Sequence, residues 1–275
     1  LTNACNLHCI HCFMNAGIKL DHELSVDKWK SVLRDFSQAG GEFVTFTGGE
    51  PTMYSGFEEV VTFAHQLGLN VTVLSNGLLW TDEQILRMKT YIDEIQFSID
   101  GVTEQDNAKV RGKNHFQKVV DTVCRFAMAD VRTSVATTFT WENLSTADAY
   151  KHFVDSIKER VGDRVFFKLT KKILPGRGKT FSEEENRRYY EQIDAIERYV
   201  DPTAGYANFI EGHEPNTMIR NCGFGGLSIS SNGNVYFCNR IHEVDCFGNV
   251  NRDRLQDVLT KGKLVLDNTA VDNVE

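Results

Sequence analysis

Between about residues 42 and 170 the chain alternates short runs of β-branched and apolar residues with longer stretches whose apolar positions recur at helical spacing. That alternation is the pattern of repeated strand–helix units around a parallel sheet. The short runs place strands at Phe43–Thr47, Asn70–Ser75, Glu94–Ile99, Arg132–Thr140 and Val165–Thr170, and Leu1–Thr2 reads as the tail of an earlier one, six in all. Between them, Ser25 opens a helix with Val26, Trp29, Val32, Leu33 and Phe36 on one face, closed by Gly40 and Gly41. Thr81 with Gln84, and Ser182 with Glu185, have capping-box spacing, and Gly68 stops the helix that carries Val60, Val61, Ala64 and Leu67.

After a helix over roughly Ser182–Val200 the texture changes to an irregular stretch and then to two β-prone runs, Leu227–Ser230 and Val235–Cys238, flanking Ser231-Asn232-Gly233-Asn234. Asn-Gly between such runs predicts a tight hairpin. The chain therefore divides near residue 200 into a core over 1–200 and a smaller C-terminal unit over 201–275. There is no internal repeat beyond the strand–helix unit and no low-complexity segment.

Composition narrows the function. Apolar content of 41%, charge of 25% and four prolines describe a globule able to bury a core, not a linker or a disordered tract. The formal net charge of −8 gives no general attraction for nucleic acid or anionic lipid. No apolar run approaches the ~18 residues of a membrane span, and no signal-peptide pattern opens the chain, so the expectation is a cytoplasmic protein without membrane or nucleic-acid partners. Leu1 stands where a methionine would start a protein, so the sequence reads as a fragment.

The cysteines change the picture most. There are seven, and three of them lie in Cys5-Asn6-Leu7-His8-Cys9-Ile10-His11-Cys12, where disulfides would be strained. Three thiols on one short loop suit a [4Fe–4S] cluster with one iron left open to a small molecule. A zinc site completed by His8, His11 or a distant cysteine, or three unrelated thiols, are the alternatives. Gly48-Gly49-Glu50 follows the Phe43–Thr47 strand. Its glycines permit close approach to a ligand, and its carboxylate can accept from an ammonium group, although the tripeptide alone is also a plain turn. Ser75 and Asn76 end the next strand, and Ser98 and Asp100 the one after. They suit a ribose but are also ordinary strand-ending turn residues.

Taken together, the cysteine loop, Gly48-Gly49-Glu50 and these strand ends resemble the radical SAM superfamily. The resemblance implies a partial (β/α)6 TIM-like barrel in an α/β fold, with a [4Fe–4S] cluster on Cys5, Cys9 and Cys12. It also implies S-adenosylmethionine, its amino group near Gly48, Gly49 and Glu50 and its nucleoside near Ser75, Asn76, Ser98 and Asp100. Pro175-Gly176-Arg177-Gly178 resembles a Gly-Arg-Gly turn seen in relatives, at a rim where Arg177 could fork onto the methionine carboxylate. Asn143 lies at the same rim. Asp106 and Arg111-Gly112 also resemble a family stretch but stay off the cofactor set, because an exposed Arg-Gly loop has an ordinary reading.

Cys222, Gly233 and Cys238 have the spacing that opens a SPASM domain, and Gly248-Asn249-Val250 continues the likeness. An auxiliary iron–sulfur cluster on Cys222 and Cys238 is implied, with Cys246 as a third ligand or a structural thiol. The dense later cysteines of such domains are absent from the sequence. Cys124, among Val119, Val120, Val123 and Phe126, reads as core.

The family likeness implies an enzyme that forms a 5′-deoxyadenosyl radical and takes a hydrogen atom from a peptide or protein side chain, reduced by a reductase or a flavodoxin- or ferredoxin-type donor. The alternatives are a radical SAM enzyme acting on a small molecule or carbohydrate, and a non-catalytic iron–sulfur carrier or sensor.

Overall fold

The computed structural model of the chain describes residues 1–140, 142–170, 182–200, 227–236 and 246–268. In chain order the elements are α1 (Val26–Gln38), β1 (Phe43–Phe46), α2 (Phe57–Gln66), β2 (Asn70–Ser75), α3 (Asp82–Met88), β3 (Glu94–Ser98), α4 (Glu104–Arg111), α5 (Phe116–Met128), β4 (Arg132–Thr138), α6 (Ala147–Val161), β5 (Val165–Thr170) and α7 (Glu183–Val200). A second group follows: β6 (Ser228–Ile229), β7 (Asn234–Tyr236), β8 (Gly248–Asn249) and α8 (Leu255–Asn268). The expected strand–helix alternation is present, and the helices begin where the sequence places caps: Ser25 Oγ accepts from Lys28 N, and Thr81 Oγ1 from Gln84 N.

Strands β1 to β5 form one parallel sheet in their chain order. Every crossover thus steps to the next neighbour in the same direction, as in a barrel wall, and never reverses as it does in a doubly wound sheet. One strand face is dry: Val71, Val73, Ile95, Phe97 and Val135 are fully buried. Phe97 meets Phe126 of α5 at 5.3 Å between ring centres, and Trp80 packs edge-on against both Phe57 and Phe126. Each such side chain contributes about 1.5–3 kcal/mol by leaving water. The alternate positions Thr72, Leu74, Gln96 and Ser98 point to the opposite face and are only partly covered.

Three strands of this sheet are shorter than the sequence predicts, β1 ending at Phe46, β3 at Ser98 and β4 at Thr138. Side chains take over the ladder at the ends of β3 and β4. Thr138 N donates to Asp100 Oδ1 at 2.7 Å, and Asn143 accepts from Thr140 N while donating to the carbonyls of Thr138 and Asp100.

The Leu1–Thr2 strand is not a strand of the sheet. Leu1–Ala4 lies instead beside the turn that leaves β1, with Leu1 N on Thr47 O (2.7 Å), Gly49 N on Thr2 O (2.8 Å) and Glu50 N on Ala4 O (2.8 Å). Its partner is a glycine turn, so no regular ladder develops. A Cβ on Gly48 would stand 2.3 Å from Thr2 O, and one on Gly49 2.2 Å from Ala4 O. Both obstacles are backbone and cannot swing aside. Gly49→Ala is therefore expected to lower stability by about 1–3 kcal/mol and to displace the neighbouring cysteine loop, read out by urea unfolding and by iron content after reconstitution.

The predicted hairpin is present. Strands β6, β7 and β8 form a small antiparallel sheet, and Gly233 closes the first turn at φ +91°. Val235, Val250, Leu255 and Val258 join the main core, and Leu24 N donates to Ser231 O at 2.7 Å. Among the described residues no helix is long and apolar enough to cross a membrane.

Candidate active site

The loop carrying the three cysteines leaves and returns through a narrow neck. Cys5 N donates to Gly17 O and Gly17 N to Asn3 O, both at 2.9 Å, and Asn3 Nδ2 reaches Ile18 O. Glu23 Oε1 accepts from Thr2 Oγ1, Asn3 N and Leu20 N, which holds the two sides of the neck together. Within the loop, Cys12 N bonds to Cys9 O, a turn that brings those two residues near each other. Cys5, Cys9 and Cys12 are not in disulfides, and none is strongly exposed. Donors gather on their sulfurs: Leu7 N lies 3.4 Å from Cys5 Sγ, Asn76 Nδ2 4.0 Å from the same atom, and Arg111 Nη1 3.8 Å from Cys9 Sγ.

That donor set fits an iron–sulfur cluster, whose thiolates are stabilised by such contacts. A single ion asks its ligands to meet at one point, and among the described residues no three His, Cys, Asp or Glu side chains do so. A cluster presents a different iron to each thiol.

Beside the loop lies a buried carboxylate. Glu50, 1% exposed, accepts from Ser75 Oγ (2.9 Å), Thr52 Oγ1 (2.8 Å) and Asn76 N (2.7 Å). Burial pushes its carboxyl above the usual range, and these donors only partly offset that. Every one of them is neutral, so among the described residues none of the groups bonded to Glu50 supplies the counter-charge that an ammonium group would. Ser75 Oγ also accepts from Trp80 Nε1 and Gly77 N, which fixes the end of β2. Asn76 Nδ2 bonds to Asn6 Oδ1 at 2.7 Å, joining this rim to the cysteine loop.

A second buried carboxylate ends β3. Asp100 is wholly buried, with His11 Nε2 at 2.7 Å and Arg111 Nε at 2.5 Å from Oδ2, while Oδ1 accepts from Thr138 N. Burial alone would raise its carboxyl, but Arg111, His11 and the Thr138 N–H outweigh it and hold the group well below the usual carboxylate range.

The two carboxylates are linked by one chain of hydrogen bonds. Asp100 N donates to Asn107 Oδ1, Asn107 Nδ2 to His115 Nδ1 and His115 Nε2 to Asn76 O. Because Asn107 Oδ1 already accepts, its amide nitrogen must face His115, so His115 is neutral with the proton on Nε2. Burial, then Arg111, pulls this imidazole from 6.5 down to about 4. The unfolded chain thus takes up a proton near pH 6.5 that the folded chain refuses until about pH 4, and stability falls as pH drops through that window. We expect His115 to make the wild-type chain about 2 kcal/mol less stable at pH 5 than at pH 7, and His115→Gln to remove that part of the slope in urea titrations at the two pH values.

The structure thus gathers Cys5, Cys9, Cys12, Gly48, Gly49, Glu50, Ser75, Asn76 and Asp100 around one rim, with Ser98 as the last residue of β3. Arg177, Cys222 and Cys238 lie outside the described residues. Cys246 is half-buried, two residues before β8 of the small sheet. Sequence reading offers His11 only as an alternative zinc ligand, passes over Asn107 and His115, and leaves Arg111 aside. A signal existed for part of this: Asn107, Val110 and Arg111 share one face of α4, the face that turns inward.

Residues 1–154 match the family model described as Radical SAM superfamily, and residues 221–265 match the SPASM model, described as an iron-sulfur cluster-binding domain. The sporulation killing factor maturation protein SkfB of Bacillus subtilis (strain 168) is 35% identical over 158 residues, which cover 56% of this chain and 37% of that protein. Mycofactocin maturase MftC of Mycolicibacterium smegmatis is 28% identical over 269 residues, 92% of this chain and 66% of that one. Among solved structures, Streptococcus suis SuiB superposes with a TM-score of 0.72 in its complex with S-adenosylmethionine, at 18% identity over 94% of this chain and 63% of SuiB. Its complex with the precursor peptide SuiA gives 0.71, at 19% identity over 94% of this chain and 62% of SuiB. At such identities SuiB speaks for the fold alone. The chain spans less than two thirds of the length of each of these proteins.

Proposed function

This chain belongs to the radical SAM superfamily, and from that premise we propose that it is the core of an enzyme that modifies a peptide side chain. The observation that carries the reading is the three-thiol loop pinned against the buried Glu50 carboxylate. When bound, a [4Fe–4S] cluster and S-adenosylmethionine supply reductive cleavage to methionine and a 5′-deoxyadenosyl radical, which takes a hydrogen atom from the substrate.

The chain's own residues do the holding. Cys5, Cys9 and Cys12 bind the cluster and leave one iron open. Glu50 supplies the negative charge that the methionine ammonium group needs, with Gly48 and Gly49 placing the backbone beside it. Ser75 and Asn76 fix the Glu50 carboxylate, and Asn76 with Ser98 would hold the nucleoside. Arg177 would pair with the methionine carboxylate. Cys222, Cys238 and Cys246 serve an auxiliary iron–sulfur cluster in the region matching SPASM. The partly covered strand face carrying Thr72, Leu74 and Gln96 receives the substrate, and a reductase or a flavodoxin- or ferredoxin-type protein supplies the electron. A peptide is favoured over a small molecule because SkfB and MftC are named as maturation proteins and SuiB is known with a precursor peptide bound.

The test is anaerobic reconstitution with iron and sulfide quantitation, followed by a dithionite-dependent assay for 5′-deoxyadenosine with and without candidate precursor peptides, read by mass spectrometry. Deoxyadenosine together with a mass change in a peptide supports the proposal. Deoxyadenosine that rises only with a small molecule moves the substrate class, and a loaded cluster that never cleaves S-adenosylmethionine points to an electron carrier.

A further inference from the structure

The Asp100–Arg111 pair is more buried than ribose binding or loop architecture requires. The Asp100 side chain is fully enclosed and that of Arg111 is 9% exposed. A buried charge pair is costly to assemble and weak as a source of stability, so its position is informative. It sits against the cysteine loop at three points: Arg111 Nη1 lies 3.8 Å from Cys9 Sγ, His11 Nε2 bonds to Asp100 Oδ2, and Ile10 N donates to Val110 O at 3.1 Å. Thr138 N and, through Asp100 N, the Asn107 side chain fix the carboxylate end to the barrel. One positive and one negative charge are thus held in order, the positive one nearer the Cys9 sulfur, where little water screens them.

Resting on the reading that Cys5, Cys9 and Cys12 hold a [4Fe–4S] cluster, we propose that Arg111 and Asp100 are a fixed charge dipole that sets the reduction potential of that cluster. Reduction adds one negative charge to the cluster. Arg111 beside Cys9 stabilises that charge and raises the potential, and contacts to cluster sulfurs together with net charge are established levers on such potentials. Asp100 is a positioning residue: it holds Arg111 on the sulfur, ties down the loop through His11, and moderates the positive field.

The experiment is a potentiometric EPR titration of the anaerobically reconstituted chain without S-adenosylmethionine, in the wild type, Arg111→Gln, Arg111→Lys, Asp100→Asn and the Asp100→Asn/Arg111→Gln double variant, with thermal melting of each. Arg111→Gln is expected to make reduction at least tenfold less favourable, about 59 mV for a one-electron couple. Asp100→Asn should shift the potential the opposite way, the double variant should return toward the wild type, and Arg111→Lys should lie nearer the wild type than Arg111→Gln. A purely structural role lowers the melting temperature without ordering the potentials by charge. Single variants that shift the potential in the same direction, or lysine and glutamine variants that coincide, overturn the proposal. If Asp100→Asn does not fold, the lysine and glutamine variants at Arg111 decide it. A wild-type chain that takes up no [4Fe–4S] cluster overturns this inference and the functional reading together, whereas a loaded cluster with unordered potentials overturns the dipole alone.

Discussion

Cys12→Ala is expected to leave anaerobic reconstitution without the [4Fe–4S] signal of the wild type and to form 5′-deoxyadenosine at background level. Cys9→Ala should behave the same way. Residues that merely support a metal ligand are worth about 10- to 100-fold in affinity or activity, so losing a ligand should cost more than ~100-fold. Neither thiol carries the fold. They sit on a loop whose neck is closed by backbone bonds at Asn3, Cys5 and Gly17 and by Glu23, so the melting temperature of the metal-free variants should stay near that of the metal-free wild type. A Cys12→Ala chain that keeps both cluster and cleavage would remove the basis of the proposed function.

Glu50→Ala has the second largest expected effect, and it acts on stability and on binding at once. Removing the carboxylate leaves Ser75 Oγ, Thr52 Oγ1 and Asn76 N without their acceptor in a place that is 1% exposed. Buried donors stranded in this way cost about 1–3 kcal/mol each, so a loss of about 3 kcal/mol or more is expected. For a chain of this size that lowers the melting temperature by roughly 6–12 °C. Glu50→Gln separates the two roles. It keeps the volume and one acceptor oxygen but loses the charge, and S-adenosylmethionine affinity of the reconstituted protein should fall about 10- to 100-fold. Calorimetric titration that finds wild-type affinity in Glu50→Gln would sink the ammonium-binding role of this carboxylate.

The parts of this molecule legible in its sequence are those written in local order. The strand–helix alternation is set by neighbouring side chains, and so are the Ser25 and Thr81 caps, the Asn232-Gly233 turn and the spacing of Cys5, Cys9 and Cys12. What sequence does not carry is which distant residues meet. His11 finds its carboxylate 89 positions away, and Arg111 finds Cys9 at 102. Nothing local to His11 distinguishes a loop histidine from one clamped on a buried aspartate. Strands β3 and β4 stop short of Ile99 and Thr140 for a related reason, since Asp100 and Asn143 replace backbone partners with side chains. The glycines of Gly48-Gly49-Glu50 illustrate a third case. Their composition speaks of close approach, but the chain segment that approaches, Leu1–Ala4, is visible only once the fold is formed.

The wiring of the cysteine loop also fixes an order of events in the protein's manufacture. The loop is synthesised before β1 to β5, yet the groups that shape it come from residues 47–50, Asn76, Asp100, Val110 and Arg111, and Asp100 is itself held by Thr138. When the cysteines are synthesised, none of these partners has yet been made. The thiols must therefore wait, reduced and unshielded, until translation has passed the end of β4. If these thiols hold a cluster, delivery of iron and sulfide to this chain is a late step, and oxygen met during that interval is a hazard to the nascent chain before it is one to the folded protein.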